Sequence, residues 1–214
     1  MTHSNHRRGD RESLDGDYVC YILGPSVKKH PDRAKKAFEI LTANNPVGVL
    51  KRRTGVPLRY MRNWKEGLGL QELLDDPDPC IYIGGVFESK NDIEGVVRDL
   101  AEAELGISTV VSGVFENTFE VCEKVGTGPH TVCMSMETIG RTERLPDDRI
   151  LQLMTMCGHS FVGEHLCRHL IDRVRKGKMT AEDAGLELGK QCVCNFFNPV
   201  RAAKVIEEYT TLQR

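Results

Sequence analysis

The chain has 214 residues, 40% of them hydrophobic and 28% charged, with a formal net charge of −2. That length suffices for one substantial core, or for a domain with a helical appendage, and the composition is that of a folded chain, not a disordered one. The near balance of charge makes nucleic acid an unlikely partner and gives no reason to expect an acidic membrane surface. No run reaches the roughly 18 apolar residues of a membrane span, and the first ten residues lack the apolar core of a secretion signal. The expectation is a cytoplasmic protein. There, eight cysteines point to metal binding, redox chemistry or small core residues instead of a disulfide framework.

Residues 1–16 are polar, without periodicity, and read as a flexible tail. A buried strand is expected at 17–23, ended by Gly24-Pro25-Ser26, and a helix at 31–44 with Pro31 near its start. A short strand follows at 46–50. The stretch from Lys51 to Lys65 then carries six basic residues, no acid and the only tryptophan. It reads as a basic loop whose Arg52, Arg53, Arg59 and Arg62 are candidate contacts for an anionic substrate, since guanidinium forks match carboxylate and phosphate.

A weak repeat comes next. Residues 80–89 and 108–117 each run from a strand through Gly-Val-Phe-Glu into a helix, and a further strand is expected at 130–136. Strands alternating with helices argue for parallel βαβ units, with a ligand edge at the strand C-termini near Gly24, Gly84-Gly85, Ser112-Gly113 and Ser135. Neither loop spells a dinucleotide fingerprint or a phosphate loop. Beyond residue 145 the pattern is helical only, with helices expected at 146–155, 160–176, 180–190 and 198–209. The fold class expected is therefore α/β: a Rossmann-like, mostly parallel sheet of four to five strands over 17–145, followed by a small helical metal-binding unit over 146–214.

Four of the eight cysteines fall between Met156 and Pro199. Cys192 and Cys194, one residue apart, can project to one side of an extended turn, and Cys157, beside Gly158, lies in another inter-helix turn. Three thiolates from two turns converging on one centre suit an iron–sulfur cluster, with zinc the runner-up because no Cys-x₂₋₄-Cys knuckle is present. Cys167, in mid-helix beside Leu166 and Leu170, and His159 are the candidates for a fourth ligand. Without one, a three-cysteine [4Fe-4S] cluster keeps an open iron for a small anionic substrate, as lyase or desulfurase chemistry requires. The alternatives are a closed zinc or iron–sulfur site that pins a partner-docking module, and a redox carrier or sensor with a protein redox partner. Cys20, Cys80, Cys122 and Cys133 read as core residues, His165 and His169 as a solvated helix face, and His130 as a weak candidate for the sheet's ligand edge.

Overall fold

The structure, a computed structural model, describes residues 7–22, 28–52, 57–77, 82–135 and 138–211. Within them five strands form one sheet: β1 (Tyr18–Ile22), β2 (Gly48–Arg52), β3 (Pro57–Met61), β4 (Tyr82–Phe87) and β5 (Thr109–Ser112), in the order β3-β2-β4-β1-β5. Nine helices accompany them among the described residues: α1 (Arg11–Leu14), α2 (Pro31–Ala43), α3 (Leu70–Asp75), α4 (Lys90–Glu102), α5 (Phe115–Val125), α6 (Asp148–Thr155), α7 (Glu164–Arg175), α8 (Ala181–Lys190) and α9 (Pro199–Thr211).

Every pairing in the sheet is antiparallel, which overturns the expected Rossmann-like parallel sheet. The helix between β1 and β2 does return the chain to the same direction, as a crossover must. β4 then inserts between them, antiparallel to both. β1 occupies the gap between β4 and β5 in the same way. The result is two interleaved split βαβ units, with β3 added at one edge as the return strand of a hairpin. Strand–helix–strand spacing is common to split and unsplit units, so it does not reveal the insertion. Strand C-termini alternate between the two ends of such a sheet, and the single ligand edge expected of a parallel one does not exist.

Two other expectations change. Part of the basic stretch is strand β3, not a loop. Residues 130–135 are exposed and form no strand, so Cys133 and His130 belong neither to the core nor to a sheet edge. The Gly-Val-Phe-Glu copies also diverge: Phe87 ends β4 fully buried, whereas Phe115 opens α5 part-exposed and stacks on Phe119.

Alternation along the strands divides the interior in two. Tyr18, Cys20, Ile22, Val49, Ile83 and Phe87 face a layer made by α2, α3, α4 and α5, where Phe38, Leu41, Leu73, Ile93 and Val121 are buried. Val19, Tyr21, Leu50 and Val86 face the opposite way, beneath α6 to α9. The C-terminal helices therefore cover a whole face of the sheet. Their boundaries follow local chemistry: Asp147 caps α6 through the Ile150 amide, and Thr180 caps α8 through that of Asp183.

Candidate functional site

The turn after α8 is pressed onto the sheet, and its sequence explains how. Cys192 closes the helix by donating its amide to Gly189 O at 3.0 Å, and the Asn195 amide returns to Cys192 O at 3.1 Å. Asn195 holds a left-handed φ of 54°, a conformation asparagine tolerates. Its buried Nδ2 donates to Val49 O at 3.0 Å and to Tyr60 O at 2.7 Å, fastening the turn to the β2–β3 hairpin. Phe196 then lies over Gly84 of β4, stacked on Tyr21 with ring centroids 5.6 Å apart and beside Tyr82 at 6.0 Å. A Cβ on Gly84 would stand 2.5 Å from the Phe196 ring, so the absent side chain is what admits the aromatic. Asn198 caps α9 by accepting the Arg201 amide at 3.0 Å.

These contacts hold Cys192 and Cys194 next to Cys157, which sits in the turn after α6. The three sulfurs form a row. Cys192 Sγ and Cys194 Sγ are 3.5 Å apart, and Cys157 hydrogen-bonds to Cys192. All three are buried, at 2%, 0% and 8% exposure for Cys157, Cys192 and Cys194. Each sulfur also accepts from the main chain: Cys157 from the amides of Phe161 and His159, Cys192 from that of Phe197, Cys194 from that of Phe196.

The row is electrically graded. The bond to Cys192, followed by burial, pushes the Cys157 thiol far up, so it keeps its proton. Cys192, bonded to Cys157 on one side and Cys194 on the other, is also raised on balance. Cys194 is lowered, first by the hydrogen bond from Cys192, then by the Phe196 amide and the nearby Arg7 guanidinium, against the cost of burial. Of the three thiols Cys194 is therefore the most readily ionised. Among the described residues no group of three or more His, Cys, Asp or Glu is arranged so that it could hold a metal ion.

The other candidates lie elsewhere. Cys167 is buried in α7 within the helical core, raised to about 12 by desolvation, and only its own backbone, Arg168 and Glu164 act on it besides. His159 is exposed, its ring stacked on Phe161 at 5.9 Å, and His165 and His169 are exposed on α7. Arg59 donates to the carbonyls of Lys190 and Cys192 at 3.2 and 3.1 Å and lies over the Trp64 ring, so it braces the cysteine turn. Arg62 pairs with Glu88 and with Asn45. The Arg52 side chain, Arg53 and Cys80 fall outside the described residues. Cys20 is buried and Cys122 partly so.

Sequence reasoning missed Arg7. Residues 7–16, expected as part of a tail, are folded against the site. Arg7 donates to Phe196 O and pairs with Asp17, which also pairs with Arg201 at 2.7 Å. The Arg8 amide donates to Thr155 Oγ1 at 2.9 Å, two residues before Cys157. The one visible signal was an aspartate, Asp17, directly before a wholly apolar strand, where an unpaired carboxylate would be costly. Tyr82 was missed as well. Its hydroxyl is buried near Cys194, is raised by that burial, and makes no hydrogen bond among the described residues.

No helix among the described residues is long and apolar enough to cross a membrane. Comparison with protein-family models, with curated proteins and with solved structures finds no match.

Proposed function

We propose that Cys157, Cys192 and Cys194 hold an iron–sulfur cluster, and that the protein is an enzyme acting on a small anionic substrate at a three-cysteine [4Fe-4S] centre. The observation that carries this reading is that three buried cysteines from two separate turns meet, Cys192 Sγ lying 3.5 Å from Cys194 Sγ and hydrogen-bonded to Cys157. Amide hydrogen bonds favour the thiolate over the thiol, and thiolates are what such a cluster requires. Packing alone gives buried cysteines no reason to be adjacent in space and graded in acidity. The cluster, when bound, would supply a Lewis-acidic iron suited to lyase or desulfurase chemistry. The chain itself would exclude water, through the Tyr21–Phe196–Tyr82 aromatic packing, and orient the sulfurs through Asn195 and Arg59. A cluster on these ligands would need the three cysteine side chains to rearrange, since they are not grouped to hold a metal ion.

One observation favours a second reading. A single ion about 2.3 Å from each sulfur in a tetrahedral site sets those sulfurs roughly 3.8 Å apart, close to the 3.5 Å between Cys192 and Cys194. That spacing suits zinc. Anaerobic purification with iron, sulfide and zinc analysis, beside the visible spectrum, separates the two. A brown protein with about four irons and four sulfides per chain supports the cluster. A colourless protein with one zinc supports a structural site, and neither metal refutes both.

A further inference from the structure

Cys192 and Cys194 take the first and third positions of a tight turn, closed by the Asn195 amide donating to Cys192 O at 3.1 Å. The turn leaves Val193 49% exposed and brings the two flanking sulfurs to 3.5 Å. Both of its ends are fastened. Arg59 donates to Cys192 O at 3.1 Å, and Asn195 donates to Val49 O and Tyr60 O. Both thiols are free. Among the described residues they belong to no group arranged to hold a metal ion, yet they are already in contact with each other.

A disulfide bond is about 2.05 Å long, so the two sulfurs have to close by about 1.5 Å from their contact distance. Side-chain rotation at two cysteines can supply that movement. Thiols already in contact on an anchored turn lose little freedom on joining, so their orientation favours the bond. The two differ in access. Cys192 is 0% exposed and Cys194 8%, so a reagent arriving from solvent meets Cys194 first.

We infer that Cys192 and Cys194 form a dithiol–disulfide couple that exchanges with low-molecular-weight disulfides, of which oxidised glutathione is the probe. The inference goes beyond the cluster reading and does not rest on it, since it concerns the same thiols without a metal. The Cys194 thiolate attacks one sulfur of the reagent, forming a mixed disulfide and releasing one thiolate. Cys192 then attacks Cys194 Sγ; the Sγ–Sγ bond forms, the mixed bond breaks and the second thiolate leaves. The dithiol gives up two electrons, the sulfur–sulfur bond of the reagent takes them, and the two cysteine protons end on the two released thiols. Cys157, hydrogen-bonded to Cys192 on its other side, is the rival partner for the same sulfur.

The test uses the full chain, freed of metal by chelator and reductant, equilibrated with reduced and oxidised glutathione, acid-quenched, alkylated and digested with trypsin. The glutathione ratio is raised until the exposed Cys133 carries glutathione, which shows that the reagent has acted. Cleavage after Lys190 and Arg201 leaves Cys192 and Cys194 together in residues 191–201. The expected result is this peptide two hydrogens lighter and unalkylated, with an equilibrium constant about tenfold above that of the same chain in urea. Cys192→Ser is expected to stop at the intermediate, with one glutathione on Cys194. Residues 191–201 alkylated at both cysteines overturn the inference. So do a Cys157–Cys192 link in place of the expected one, a bond formed no more readily in the folded chain than in urea, or a Cys192→Ser chain without the adduct. Iron and sulfide are measured on the untreated protein, so failure of the cluster reading and failure of this inference are told apart.

Discussion

Replacing Asn195 by aspartate changes one nitrogen to oxygen and keeps shape and tolerance of the left-handed backbone, so it isolates the polar clamp on the cysteine turn. Asn195 is buried and its amide nitrogen donates to Val49 O and Tyr60 O. Aspartate loses both bonds, about 1 kcal/mol each, and turns an oxygen towards two carbonyls. An ionised carboxylate there would face two carbonyl oxygens in a buried site, and the group stays neutral only by raising its pKa. Together these terms give a loss of about 4 kcal/mol at neutral pH, which for a chain of this size lowers the melting temperature by roughly 8–16 °C. Asn195→Ala loses the same bonds without the charge and is expected to cost about 3 kcal/mol, including a left-handed penalty near 1 kcal/mol. The sign with pH separates the two variants. The folded-state pKa of the aspartate is raised above its unfolded value near 3.9, so its deficit is smallest below pH 4, where the acid can donate one bond again, and grows as pH rises. Thermal melts by circular dichroism between pH 4 and 8 measure this. An aspartate variant within 2 °C of the wild type at pH 7, or more stable than the alanine variant there, would refute the clamp.

Gly84→Ala places a Cβ against the Phe196 ring and is expected to destabilise by about 1–3 kcal/mol and to lower metal retention, measured by elemental analysis; unchanged retention would disconnect the aromatic packing from the site. Asp17→Asn leaves two buried guanidiniums without their carboxylate and is expected to cost about 3–5 kcal/mol in urea titrations, whereas a loss below 1 kcal/mol would mean the cluster is not dry. Cys20 and Cys167 are each held up to about 12, against 9.0 for a free thiol, chiefly by burial. Both stay protonated in the fold while the unfolded chain ionises, so their contribution is intact below pH 9 and falls by up to about 1.4 kcal/mol per pH unit per thiol above it. Cys20→Ala should flatten that alkaline decline, and an unchanged slope between pH 9 and 10.5 would contradict the assignment.

Local signals carried well from sequence to structure. Pro31, Thr180 and the Asn198-Pro199 pair mark helix starts because caps and proline act within one turn, whereas the helix expected to open at Pro146 begins at Asp148 behind an Asp147 cap. The juxtaposition of Cys157 with Cys192 and Cys194 was legible for a related reason: both turns end helices that cover one face of the sheet. What failed was non-local. Tyr18–Ile22 and Tyr82–Phe87 look the same to a periodicity argument whether they pair with each other or not, and their antiparallel pairing is what turns a doubly wound expectation into split units. The alternating stretch 130–135 finds no partner strand, so its Val132 and Met134 are exposed. Arg7 was hidden because a charged residue near a terminus resembles every solvated one, and only its three-dimensional pairing with Asp17 distinguishes it.

Iron K-edge X-ray absorption on anaerobically purified wild type and on Cys192→Ser tests the central claim most directly. The expected result is a sulfur-dominated shell with iron–iron scattering in the wild type, and its loss in the serine variant, because Cys192 is the middle of the sulfur row. Iron bound only through oxygen or nitrogen, or a spectrum unchanged by Cys192→Ser, would contradict a cluster on these cysteines.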